Sequence, residues 1–204
     1  MNPQRTPRQV PDPDETPSPA GRRLFYEQAL RASEQMQGPE GYVAMILLDV
    51  TAAPAARYLD ERVLVPVTSK LATLLNRRLR SIDLLVRSAG TELAVLLRQA
   101  NLGVAAAFSE RLRQPIEQVL REVSLANDVV VSMGLAANPH AGSWQPEALI
   151  ELADFRMRAA RHEAVKAPAR EWALAVDGEA VPQAWADPAL WPATSHITSD
   201  YLPL

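Results

Sequence analysis

The sequence has no cysteine and only three histidines. Disulfides, thiolate catalysis and cysteine-based zinc sites are thereby excluded. His140, His162 and His196 share no metal-ligand spacing, and His140 in Asn138-Pro139-His140-Ala141-Gly142 reads as a loop residue. No apolar run approaches the roughly 18 residues that cross a bilayer. The opening MNPQRTPRQVPDPDE lacks the apolar stretch of a signal peptide, so the cytoplasm is the expected compartment. Basic residues are not in excess, with 21 Lys and Arg against 24 Asp and Glu and a net charge of −3. A nucleic-acid partner held by phosphate neutralisation is not expected at that balance.

The 204 residues are 48% hydrophobic, 22% charged and 5% aromatic, an ordinary globular profile that excludes full disorder. Composition divides the chain. Residues 1–20 carry six of the 17 prolines and few large apolar residues, so a flexible arm is expected there. Residues 21–167 hold the periodic segments and form the expected domain. Residues 168–204 carry five further prolines with Trp172, Trp185 and Trp191. These tryptophans read as anchors that pack on the domain or on a partner.

Within the middle region, Gly21 to Gln37 is rich in helix formers. The continuous apolar run Tyr42 to Val50 predicts a central strand. Val67, Leu71, Leu74, Leu75 and Leu79 fall at helical spacing. Leu84 to Val86 and Glu92 to Leu97 flank Ser88-Ala89-Gly90-Thr91 and predict a β-hairpin. Asn101 to Val123 reads as a helix that Pro115 interrupts or restarts. Val129 to Leu135 predicts a strand, and Pro146 to Lys166 a helix with proline in its first turn. In the tail, Asp177-Gly178 between apolar runs suggests a small hairpin that extends the sheet edge. Helices and strands intermix around an antiparallel hairpin, which predicts an α+β fold with helices on the faces of one sheet.

The segment from Arg80 to Leu97 resembles the GGDEF domain of diguanylate cyclases, whose hairpin reads R-x-G-G-D/E-E-F-A-V-L-L. Other pieces follow in the family's order. Asp14 and Gly21-Arg22-Arg23-Leu24-Phe25 are similar to the family's entry segment, and Leu47-Leu48-Asp49-Val50 to its first strand. Val131-Ser132-Met133-Gly134-Leu135-Ala136 is similar to V-S-I-G-V-A, and Ala153-Asp154 through Ala160-Arg161 to A-D-x-A-L-Y-x-A-K. The resemblance covers roughly residues 14–167 and implies the palm-type sheet of nucleotidyl cyclases.

The hairpin Ala89-Gly90-Thr91-Glu92-Leu93 departs from the family pattern. Ala89 replaces the first glycine, whose missing side chain admits the nucleotide in active members. Thr91 replaces a metal-binding acid, and a neutral hydroxyl does not supply that charge to Mg²⁺. Residues 51–66 lack the family's guanine-reading Asn and Asp, its phosphate Lys and its glycines. Asp49 and Glu92 remain of the metal ligands and read as leftovers or solvated strand ends. Arg161, at the family's Lys position, reads as a surface residue. The resemblance therefore implies a domain without cyclase activity, without catalytic residues and without a cofactor or metal.

One family constellation is retained. Arg80 and Asp83 match the allosteric R-x-x-D motif, and Ser109-Glu110-Arg111 supplies the Arg that completes it. Arginine forks suit guanine O6 and N7, and a carboxylate accepts from N1–H and the N2 amine. Arg80, Asp83 and Arg111 are thus the expected cyclic di-GMP site, exposed at the helix end before the hairpin. As residues alone, Arg80 and Asp83 also suit a surface ion pair. The resemblance implies a cyclic di-GMP receptor that relays occupancy to an unidentified protein partner, with homodimerisation left open. The alternative is a ligand-free interaction scaffold.

Overall fold

A computed structural model of the chain describes Phe25, Glu27, Ala29, Arg31 and residues 41–56, 58–138, 146–166 and 172–175. The arm over residues 1–20, His140, the Asp177-Gly178 turn, Trp185 and Trp191 lie outside the described residues.

The central strand β1, Val43–Ala52, is buried from Val43 to Val50 with no polar alternation. Its two faces feed different cores. Ala44, Ile46, Leu48 and Val50 belong to one apolar cluster, and Val43, Met45 and Leu47 to another. A strand buried on both faces is apolar almost throughout, here with Asp49 as the exception, which is why its sequence shows no period. Strands β2 (Leu84–Ala89) and β3 (Glu92–Arg98) form the expected hairpin, with a register shift between Arg87 and Ala89. Strand β4, Val129–Ala137, lies on the other side of β1. Strand β5, Trp172–Ala175, runs parallel to β4 at the sheet edge, where the sequence placed an edge extension. The order is β2-β3-β1-β4-β5, with β2, β3, β1 and β4 paired antiparallel to one another.

Helix α1, Glu61–Arg78, starts at Asp60, whose side chain accepts from the Arg62 amide at 3.0 Å. Helix α2, Leu102–Glu122, starts at Asn101, which accepts from the Val104 amide at 3.0 Å. Both pack on the face of the sheet that carries Ile46, Leu48, Val95 and Met133. Helix α3, Pro146–Lys166, covers the opposite face together with helical Phe25 and Ala29. The α+β architecture with helices on both faces is as the sequence implied.

Pro115 does not interrupt α2. Ala105, Ser109, Leu112, Ile116 and Leu120 form one buried stripe on both sides of it. Proline removes a single amide, the one that would bond the carbonyl of Arg111, at a cost of about 3 kcal/mol. Burying the three large side chains Leu112, Ile116 and Leu120 at roughly 1.5–3 kcal/mol each outweighs that cost. Pro66 is carried inside α1 in the same way, exposed on the helix whose other face buries Leu64, Val67 and Leu71.

Candidate functional site

The chain leaves α1 at Leu79 and turns into β2 through residues 80–83. The Asp83 amide donates to the Arg80 carbonyl at 3.1 Å and closes the turn. The Asp83 carboxylate then gathers four donors. Its Oδ2 accepts from the Arg80 amide at 2.9 Å and from Arg80 Nε at 3.1 Å. Its Oδ1 accepts from Arg80 Nη2 at 2.9 Å and from the Arg98 amide at 3.2 Å. Arg80 Nη2 also donates to the Arg98 carbonyl. A carboxylate offers about four lone-pair directions, so this set uses its acceptor capacity.

The sequence expected both members of the pair to be exposed. The Asp83 side chain is only 2% exposed, while that of Arg80 is 49% exposed. The acid is buried because the main chain of β3 and the guanidinium close over it. Arg111 is exposed on α2, with its Nε turned back onto the Ala107 carbonyl at 3.1 Å. Sequence reasoning missed Arg98, which takes part through its backbone, and a backbone group leaves no mark on residue type.

A second polar cluster lies on the α3 face of the sheet. Asp49 follows Leu48 on β1 and therefore points away from the α1–α2 layer. Its register partners are Glu92 on β3 and Ser132 on β4. Asp49 Oδ1 accepts from the Thr91 hydroxyl at 2.9 Å. Asp49 Oδ2 accepts from Arg161 Nη1 at 3.3 Å. The Val50 amide donates to the Thr91 carbonyl at 3.2 Å and fixes the hairpin tip against β1. The Ser88 hydroxyl donates to Glu92 Oε1, and Arg158 pairs with Asp154 at 2.8 Å.

One expectation is corrected here. Asp49 is not a solvated strand end, since its side chain is 12% exposed. Arg161 is exposed, as expected of a surface residue, yet its guanidinium reaches across to Asp49. Burial pushes the Asp49 carboxyl above its usual 3.8, and the Thr91 hydroxyl and Arg161 only partly pull it back.

The family profile described as "Diguanylate cyclase, GGDEF domain" matches residues 62–166, just over half of the chain. The chain belongs to the GGDEF family. Solved GGDEF domains share its fold. That of YfiN from Pseudomonas aeruginosa is 23% identical with a TM-score of 0.54, covering 77% of this chain and 96% of that one. That of DgcB from Caulobacter crescentus, solved with c-di-GMP, is 17% identical with a TM-score of 0.52, covering 75% and 86%. The diguanylate cyclase SiaD from Pseudomonas aeruginosa, solved with its activator SiaC, is 20% identical with a TM-score of 0.53, covering 76% and 58%. No curated protein matches the sequence. Among the described residues of the GGDEF domain, no helix is long and apolar enough to cross a membrane.

Proposed function

We propose that this GGDEF domain does not make cyclic di-GMP but binds it and reports occupancy to a protein partner. The observation that carries the receptor half is the guanidinium of Arg80. A buried carboxylate holds its plane by two side-chain bonds while half of the side chain faces solvent. A planar cation held in this way loses little entropy when it stacks on a purine or reaches a guanine edge. Asp83 is then a positioning residue, and Arg111 adds a second exposed cation on the neighbouring helix. The solved complexes of DgcB with c-di-GMP and of SiaD with SiaC support both kinds of partner.

The silent half of the proposal rests on the hairpin tip. Thr91 stands where the family places an acid, and residues 51–66 lack the family's guanine and phosphate contacts. Incubation with GTP and Mg²⁺ or Mn²⁺, followed by chromatography, should show no cyclic di-GMP. Thr91→Asp alone should not restore it, because the base and phosphate contacts are still missing. Product that survives Arg80→Ala and vanishes in Asp49→Ala would overturn the silent reading.

Calorimetric titration with cyclic di-GMP, cyclic di-AMP and GTP tests the receptor. Arg80→Lys keeps a cation beside Asp83 but loses the fork, and should weaken cyclic di-GMP binding by roughly one to two orders of magnitude. Arg111→Ala should weaken it less if one ligand molecule binds and more if two intercalate. Asp83→Ala is a poor probe of binding, because it orphans the Arg80 and Arg98 amides and should cost about 2–4 kcal/mol in urea unfolding. The scaffold reading has one observation in its favour: a guanine edge would have to displace donors that already occupy Asp83. Equal, weak binding of all three nucleotides, unchanged in Arg80→Lys, would establish the scaffold instead.

A further inference from the structure

We propose that the acidic, tryptophan-bearing segment 176–204 docks on the arginine-rich end of the sheet at Arg77, Arg78 and Arg80, where it competes with cyclic di-GMP. The competition rests on the reading of Arg80 as a nucleotide contact, whereas the docking rests on charge and topology alone.

The receiving surface is built at the end of the sheet where β1 begins. Arg98 closes β3 opposite Val43, and Leu84 opens β2 opposite Leu96, so α1 ends and α2 begins at this same end. Arg77, Arg78 and Arg80 stand close together in the chain there, all exposed. Residues 76–82 and 99–109 contain no acid, and the Asp83 carboxylate is buried with its acceptor positions occupied. Among the described residues neither Arg77 nor Arg78 pairs with an acid. Apolar surface lies at the same end. Of the four large apolar side chains exposed among the described residues, two belong here: Ile82 in the turn and Val104 in the first turn of α2. A cationic surface with exposed apolar side chains suits an anionic, apolar partner.

The segment after β5 has that chemistry. It holds four of the 24 acids, Asp177, Glu179, Asp187 and Asp200, and none of the 21 Lys and Arg. With the chain at −3, the whole excess of negative charge lies in this segment. Trp185, Leu190, Trp191, Ile197 and Tyr201 supply apolar side chains, and arginine stacks on tryptophan. The topology starts the segment in the right direction. Strand β5 is parallel to β4 and runs from Trp172 beside Val131 to Ala175 beside Gly134. It therefore heads toward the end where Ala137 meets Ala44, which is the end that carries Arg80. Strands lie about 4.8 Å apart, which puts β5 roughly 19 Å from β2. The chain from Ala175 to Trp185 alone can span up to about 33 Å. Because it is tethered, the segment meets this surface at an effective concentration that a separate molecule does not reach.

The test uses the full chain, whose lack of cysteine lets a single nitroxide label be attached at Ser195→Cys. With no nucleotide present, the label should broaden the amide signals of Ile82 and Val104 in nuclear magnetic resonance spectra. Arg77→Glu combined with Arg78→Glu should abolish that broadening. Asp177→Asn, Glu179→Gln, Asp187→Asn and Asp200→Asn together should abolish it as well, and they leave the domain untouched. An isotope-labelled chain mixed with a nitroxide-bearing chain that lacks the isotope should show no broadening. Broadening in that mixture would put the segment on a second copy, and no broadening in the doubly labelled chain would leave the surface without this occupant; either result overturns the proposal. In calorimetry the chain with its four acids neutralised should bind cyclic di-GMP about three- to tenfold more tightly than wild type, because less of the site is covered. Equal affinities would overturn the competition. Failure of both chains to bind cyclic di-GMP would instead overturn the receptor reading, and the broadening would still decide the docking.

Discussion

Asp49 is the residue at which burial and charge compete most directly. Its pKa is raised, burial being the larger influence and the contacts to Thr91 and Arg161 the smaller. A folded-state pKa above the unfolded value means that the native state holds the proton more tightly. The stability this contributes is complete below the usual 3.8 and is lost as pH rises through the raised value. Asp49→Asn carries no such titration. Wild type should therefore be at its best relative to Asp49→Asn in acid and should lose ground as pH rises above 3.8. Urea midpoints of both chains across that range check this, and a gap that widens in favour of wild type with rising pH would refute it. The candidate site was only half legible at this scale. The Arg80 and Asp83 spacing marked a pair, but spacing within one turn carries no information about the β3 amide that completes the set. With the family's phosphate contacts missing, the sequence gives Arg161 no partner, and the one it has lies 112 positions away.

The elements were more legible than their details. Apolar runs located the strands because a strand buried on two faces needs almost every side chain to be apolar. Helical spacing located α1 and α2 because each buries one stripe. The continuity of α2 through Pro115 was not legible, since local chemistry argues for a break and only tertiary packing argues against it. The end of α2 shows a related conflict. Ser124 adopts φ 58, a left-handed conformation that glycine reaches without strain. Its amide donates to the Arg121 carbonyl at 3.0 Å, and the Leu125 amide donates to the Leu120 carbonyl at 2.9 Å. This is the paired bonding of a Schellman cap with serine in the glycine position. Ser124→Gly should raise stability by up to about 1 kcal/mol, relief of strain being partly offset by a more flexible unfolded chain. A lower urea midpoint for the glycine variant would show that the serine side chain contributes something the cap geometry does not reveal.

Across the whole molecule, the two polar clusters belong to different layers. Arg80 follows α1 and Arg111 rides on α2, whereas Asp49 and Arg161 meet between the sheet and α3. The spacing of that second layer is set at Gly134 on β4. A Cβ built there would lie 1.9 Å from the Ala153 carbonyl oxygen and 2.3 Å from the Met157 amide nitrogen, both backbone atoms of α3. Neither can give way without moving the helix. Gly134→Ala should therefore cost about 1–3 kcal/mol through overpacking, measurable in urea unfolding. Its second effect lies one helical turn beyond Met157, where Arg161 leaves α3. A helix lifted at Gly134 carries that guanidinium away from Asp49, so the alanine variant should also weaken the Arg161–Asp49 pair, and Arg161→Gln should then cost less in the alanine background than in wild type. One missing methyl group on the sheet thus serves as the depth stop that decides how far a charge on the helix can reach.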